Sequence, residues 1–479
     1  MAMLGKRRPR RERSGVSGLQ GRQSPQGGAP RPRPHEEEGP VVIERLAHDG
    51  RGLVREATGK TLFVEGALPG ERVAVAVHRT RQRFDEGHVR ELLAPVAERV
   101  EPPCPHFARC GGCDLQHLAV PAQRRHKQTV LLELLARQGL EVPGEPELLA
   151  GAAEGYRRRA RLGVKVDAEG ALHLGFRARH SHRLVDLDRC PILVPALEAL
   201  LAPLRRHLAC LEAPRHVGHL ELLDSDQGVV LVVRQLREHA GDAQRWCDFA
   251  AEQGLYLACL AGRESPNLEW LTEAPTLSCR VPGAAGDIAL GFVPGDFLQA
   301  NGEVNRRMVA TALAWLEGLA GERVLDLFAG IGNFSLPLAS TTARVVAVEG
   351  SPAMVERLAD NARRNGLAVA ARQADLGQAA AVAELLAEQR PDTLLLDPPR
   401  DGAEAAVQAL VEAPVPRVLY VSCDPATLAR DAARLVHGGY RLARCAMADM
   451  FVHTSHLESM LLFEHPRTRR QRQGASSDG

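Results

Sequence analysis

Cys423 ends the apolar run Val418-Leu-Tyr-Val-Ser-Cys, and Asp424-Pro425 turns the chain away behind it. Such a run predicts a buried strand with Cys423 at its carboxyl end. In an open α/β sheet that edge is where ligands bind. A thiolate there is the strongest nucleophile the standard side chains offer at neutral pH. A lone free cysteine is otherwise most often a small buried hydrophobe. Two polar runs flank this one: Asp397-Pro-Pro-Arg-Asp-Gly402 before it, and Asp449-Met-Phe-Val-His-Thr-Ser-His-Leu-Glu458 after it. A separate thiol set, Cys104, Cys110 and Cys113, lies among Gly and Pro residues, with Cys190-Pro191 further on. Glycine permits the tight turn that brings close-spaced sulfurs to one metal centre. Four thiolates satisfy zinc or an iron–sulfur cluster, and spacing alone leaves both open. Cys210, Cys247, Cys259, Cys279 and Cys445 have no such neighbours and read as core residues.

The elements that must position these groups are legible next. Val324-Leu-Asp-Leu-Phe328 reads as a buried parallel strand, and Ala329-Gly-Ile-Gly-Asn-Phe334 as the turn into a helix. Gly330 and Gly332 let the backbone approach a ligand closely. The strand Arg344-Val-Val-Ala-Val-Glu349 ends in a carboxylate able to accept both ribose hydroxyls. Ser335 stands where a nicotinamide fingerprint wants its third glycine, so the turn fits a different nucleotide-like cofactor. Thr393-Leu-Leu-Leu396 is a further strand that delivers Asp397 to the same edge.

The motifs together resemble the RNA 5-methyluridine methyltransferase family, whose signature is Asp-Pro-Pro-Arg-x-Gly, a spacer, two aliphatics, Tyr, an aliphatic, Ser-Cys-Asn/Asp and a Thr, here Thr427. The second family signature is matched by Asp449 to Glu458, with Val452 where the family carries Pro. The resemblance implies S-adenosylmethionine as methyl donor, bound through Gln299, Phe328, Gly330, Gly332, Asn333, Glu349, Asp375 and Asp397. It implies Cys423 as nucleophile on uracil carbon 6 and Glu458 as the base that removes the carbon 5 proton. Asp397 would hold the uracil N3–H, and His456 would help position Glu458. In the ribosomal-RNA branch Cys104, Cys110, Cys113 and Cys190 correspond to the ligands of a [4Fe–4S] cluster, which the resemblance favours over zinc. The implied partner is 23S ribosomal RNA. Transfer RNA as substrate and a non-catalytic RNA-binding shell are the rival readings.

With 479 residues the chain is too long for one core and predicts a multidomain α/β protein. Residues 1–38 form a basic arm, with Lys6, Arg7, Arg8, Arg10, Arg11 and Arg13 among its cations, suited to RNA phosphates. Residues 39–96 read as a small OB-like barrel resembling a TRAM RNA-binding domain, with Arg79, Arg81, Arg83 and Phe84 as cations beside a stacking face. Residues 97–290 form a central α+β domain holding the cysteine loop, and arginines around Tyr156 and Phe176 are expected to face phosphate. Residues 291–465 form the Rossmann-like methyltransferase domain, and 466–479 a basic tail. No run of eighteen apolar residues and no secretory pattern occur, so no membrane partner, a cytoplasmic location and a monomer are expected.

Overall fold

A computed structural model of the chain describes residues 39–55, 59–237, 239–262 and 267–466. The predicted basic arm and the arginines after Pro466 lie outside them. The described residues fall into two compact units, those of 39–45 with 52–95, and those of 46–51 with 96–466.

The smaller unit is built on β1 (Val41–Val42), β2 (Arg45–Leu46), β3 (Gly52–Arg55), β4 (Thr61–Glu65), β5 (Arg72–Thr80) and β6 (Phe84–Ala94). They hydrogen-bond in the order β1-β5-β6-β4-β3-β2 around Ile43, Val54, Leu62, Val64 and Val73. This is the barrel-like region expected between residues 39 and 96. Phe84 meets the Phe63 ring edge-on at 5.7 Å, so part of its face is committed to the barrel.

The larger unit starts with the cysteine loop, α1 (Val120–Arg137) and β7 (Glu147–Leu149). A central sheet follows, made of β8 (Arg159–Val166), β9 (Leu172–Arg177), β10 (Leu184–Asp186), β11 (Val217–Ser225), β12 (Gly228–Gln235), β13 (Tyr256–Ala261) and β14 (Asn267–Trp270). Helices α2 (Pro195–Glu198), α3 (Leu201–Ala209) and α4 (Ala240–Gln253) accompany it, and Leu204, Leu208, Trp246 and Phe249 join its buried core. The hairpin β15 (Ser278–Gly283) and β16 (Gly286–Gly291) leads on to α5 (Gly302–Trp315).

The remaining chain alternates strand and helix: β17 (Arg323–Leu327), α6 (Ser335–Ala339), β18 (Arg344–Glu349), α7 (Pro352–Arg364), β19 (Val369–Gln373) and α8 (Ala379–Gln389). It continues through β20 (Thr393–Leu396), α9 (Glu404–Glu412), β21 (Arg417–Ser422), α10 (Pro425–His437), β22 (Arg441–Ala448) and β23 (Glu458–Glu464). Short runs such as 394–396 and 418–421 are apolar and buried throughout because helices cover both sheet faces. The sheet order is β19-β18-β17-β20-β21-β23-β22-β7. Strands β17 to β21 run parallel, while β23 is antiparallel to β21 and β22. The order reverses at β17, which places a ligand crevice beyond its carboxyl end. Strand β7 joins this sheet alongside β22, from within the stretch expected to be the central domain.

Candidate active site

Three sheet strands deliver three acidic or nucleophilic groups to one edge. Leu396 pairs with Tyr420, so Asp397 and the residues after β21 leave the sheet side by side. Strand β23 runs the other way, and Ser422 pairs with Ser459. The next step of that register sets Cys423 beside Glu458. Cys423 is half-buried and Glu458 is buried. Burial, reinforced by Glu458 and Asp397, pushes the Cys423 thiol up to about 11, and Arg400 opposes the shift. Burial raises Glu458 to about 8, with Asp397 adding and Arg400 again opposing. Burial alone raises Asp397 to about 7. Near neutral pH the pocket therefore favours protons on its thiol and on Glu458, and burial moves Asp397 in the same direction.

The loop bearing Asp397 is held from behind. Asp424 caps α10, its carboxylate accepting from the Ala426 and Thr427 N–H groups at 3.0 Å, with Pro425 in the first helical turn. Thr427 Oγ1 donates to the Arg400 carbonyl at 3.1 Å, and Arg430 donates to the Asp401 carbonyl at 3.0 Å. Tyr420 donates its hydroxyl to Asp431 Oδ2 at 2.7 Å, and both accept from the Ala403 N–H. Gly402 has φ +83°, and a Cβ there would lie 2.6 Å from Asp431 Oδ2. Arg430 and Asp431 carry no sequence signal of this role; Tyr420 had one only as a position in the family signature.

Around the β17 turn, Phe328 takes φ +66°, unusual for a bulky residue and a mark of imposed strain. Gly330 faces open space where a Cβ would sit, so its backbone is accessible to a ligand. Its N–H donates to Glu349 Oε2 at 3.1 Å, and the Ser351 N–H donates to Glu349 Oε1 at 3.0 Å. Asn333 and Asn305 exchange side-chain amide bonds of 2.8 and 3.0 Å, tying the turn to α5. Ser335, in place of the third glycine, donates to the buried Asp326 at 2.5 Å. Gln299 is half-buried, and its carbonyl accepts from Arg158 Nε at 2.8 Å. Asp375 is exposed and caps its own turn through the Gly377 N–H at 3.0 Å. Open backbone at Gly330, a carboxylate at the end of β18 and the strand-order switch suit a cofactor bearing a ribose.

The arginines near Tyr156 and Phe176 are more committed to the protein than expected. Arg159 pairs with Glu221 and donates to the Asp296 carbonyl, while Arg158 holds the Gln299 backbone. Arg179 donates to the carbonyls of Cys110 and Cys113 and lies 4.8 Å over the Phe107 ring. Arg161 is the exposed arginine of β8.

All four cysteines of the predicted metal set are free thiols, and Cys113 and Cys190 sit near enough to the other two for their charges to couple. Burial pushes Cys113 and Cys190 up to about 12. The Gly112 N–H donates to Cys110 Sγ at 3.4 Å. Among the described residues no three Cys, His, Asp or Glu groups stand close enough to share one metal ion. His456 is the exposed residue of the otherwise largely buried loop before β23, its ring 6.2 Å from Phe451. Among the described residues no hydrogen bond joins it to Glu458.

The sheet order and the glycine turn define an S-adenosylmethionine-dependent methyltransferase fold. The family described as tRNA (uracil-5-)-methyltransferase matches residues 121–466, and the TRAM domain family matches residues 35–89. The chain belongs to the tRNA (uracil-5-)-methyltransferase family. It is 64% identical over 484 residues to a Halomonas elongata protein named 23S rRNA (uracil(1939)-C(5))-methyltransferase RlmD, with 100% of each chain covered. A Chromohalobacter salexigens protein of the same name is 57% identical over 482 residues, covering 98% of this chain and 97% of that one. The crystal structure of Pyrococcus abyssi tRNA (uracil-54, C5)-methyltransferase with S-adenosyl-L-homocysteine superposes with TM-score 0.69 at 22% identity. It covers 89% of this chain and 100% of that one, a likeness of fold.

Proposed function

We propose that this protein methylates carbon 5 of one uridine in 23S ribosomal RNA, the uridine numbered 1939 in the names of its relatives. The observation carrying this reading is the β21–β23 register, which sets Cys423 beside Glu458 with Asp397 on the neighbouring strand. Carbon 5 of uracil is a weak nucleophile and needs activation. Cys423 gives its thiol proton to solvent and its Sγ bonds to carbon 6, the C5=C6 electron pair moves toward the carbonyl at carbon 4, and carbon 5 gains negative density. S-adenosylmethionine, when bound at the glycine turn with Gln299 and Glu349, supplies the electrophilic methyl. Glu458 then takes the carbon 5 proton, the double bond re-forms, and the C6–Sγ pair leaves with Cys423. Asp397, as carboxylate, accepts from uracil N3–H and orients the ring. The target base must leave its stack to reach this recessed edge. His456 acts on Glu458 through the loop backbone they share.

The cysteines Cys104, Cys110, Cys113 and Cys190 would hold a [4Fe–4S] cluster that staples their loop to the central sheet. An all-sulfur donor set and an N–H donated to Cys110 Sγ support this. Ribosomal RNA as substrate places the reaction in the cytoplasm. Mapping 5-methyluridine in ribosomal and transfer RNA from a strain lacking this gene tests the assignment. Loss at one ribosomal uridine with transfer RNA unchanged is expected; loss confined to transfer RNA would overturn it.

A further inference from the structure

The loop between β22 and β23, which leads into Glu458, is anchored almost residue by residue to α1 and to the segment behind Cys113. Asp449 and Lys127 are both buried, and Lys127 Nζ donates to Asp449 Oδ1 at 2.6 Å and to the Phe451 carbonyl at 2.9 Å. Arg124 Nε donates to the other Asp449 oxygen at 3.0 Å. The Gln123 amide nitrogen lies 3.0 and 2.7 Å from the Leu115 and Leu118 carbonyls and 3.1 Å from His453 Nδ1. The His453 N–H donates back to Gln123 Oε1 at 2.9 Å. His453 itself sits at φ +69°, a strained position for a residue with a side chain. The Asp114 and Leu115 N–H groups donate to its carbonyl, and Tyr156 donates to the Val452 carbonyl at 2.9 Å.

A buried lysine and carboxylate are costly to desolvate, and replacing such a pair by apolar residues is often neutral or stabilising. Overall stability is therefore a poor account of this pair. Apart from the Gln123 bonds to the Leu115 and Leu118 carbonyls, the contacts share a direction: each closes on the segment from Asp449 to His453, just ahead of Glu458. We propose that Lys127 and Asp449, with Gln123, are positioning residues that set where Glu458 enters the active site. This rests on the proposed reaction, in which Glu458 must reach a proton on one face of the modified base. A small rotation of the loop leaves Cys423 and the cofactor turn untouched, since those ride on β21 and β17.

The test is the double variant Lys127→Met, Asp449→Leu, which removes both members of the buried pair and leaves the part-exposed Arg124 its bond to the Gly151 carbonyl, beside Gln123→Met and Glu458→Gln. RNA carrying 5-fluorouridine titrates competent sites, because trapping needs Cys423 and methyl transfer but no carbon 5 proton. We expect the double variant to trap stoichiometrically and to keep its KM for RNA and its S-adenosylmethionine Kd within about twofold. Its kcat per trapped site should fall about 10- to 100-fold, a loss of positioning within the range general-base catalysis contributes. With ordinary uridine it should accumulate a denaturation-resistant protein–RNA adduct. Wild-type kcat per trapped site, or a loss matched only by fewer trapped sites, would overturn the proposal. Glu458→Gln separates the two failures. If that variant accumulates no adduct, the base assignment falls, while the strap is still judged on kcat per trapped site.

Discussion

At the scale of single residues, the pocket pairs the proposed nucleophile Cys423 with the proposed base Glu458, and burial favours the protonated form of both. Cys423→Ser should abolish methyl transfer, because an alcohol cannot supply the soft, ionisable nucleophile that carbon 6 requires. Calorimetric affinity for S-adenosylmethionine should stay close to wild type. Glu458→Gln should lower turnover by about 10²–10⁴-fold and leave the RNA bonded to Cys423 on a denaturing gel. With Glu458 raised to about 8, kcat/KM should climb with pH through that value as the base ionises. The same shift has a thermodynamic sign. The unfolded chain loses this proton near the usual glutamate value of 4.5 and the folded chain at about 8, so the group's contribution to stability falls as pH rises across that window. Glu458→Gln should therefore melt a few degrees above wild type at pH 8–9, measured by thermal unfolding.

At the scale of elements, strand endings do most of the placing. The residues that end β17, β18, β20 and β21 were legible because an apolar run that stops at a polar residue reports both burial and its limit. That placed Cys423, Asp397, Glu349 and Gly330 on one edge before any coordinates. Glu458 opens an antiparallel strand, and its meeting with Cys423 depends on a ladder that no local pattern encodes. The braces were less legible still. Arg158 holds the backbone at Gln299, 141 residues away, and Lys127 reaches Asp449 across 322. Bonds at such separations leave no periodicity in the sequence. Arginines that looked like RNA contacts proved partly to be these braces. The brace behind Asp397 yields a prediction: Gly402→Ala must strain φ +83° and crowd Asp431. It should cost about 1–3 kcal/mol and lower turnover through the displaced Asp397 loop, read by denaturant unfolding and methyl incorporation.

At the scale of the whole molecule, the expectation is that RNA engagement and catalysis fall to different parts of the chain. Removing residues 1–38 should weaken RNA binding and flatten its salt dependence, because fewer cations then displace counterions from phosphate. Turnover at saturating RNA should change little, and equal salt slopes for both proteins would refute a role for the arm. Anaerobically purified protein should contain iron and absorb broadly in the visible, and Cys104→Ser or Cys190→Ser should remove both signals. Stoichiometric zinc without iron would replace the cluster assignment.

Strand β7 adds a matter of timing. Its Glu147 pairs with Ala446, a residue synthesised 299 positions later. At about 5–20 residues per second the ribosome takes roughly 15–60 s to cover that distance. Through that interval the nascent β7 has no partner strand, and its sheet edge is open to other chains. Leu148 remains 40% exposed even when folded, so the segment offers an apolar handle while it waits. The methyltransferase sheet is thus begun early and finished last, and a ribosome-modifying enzyme is itself exposed to chaperone capture and mispairing for most of its own translation.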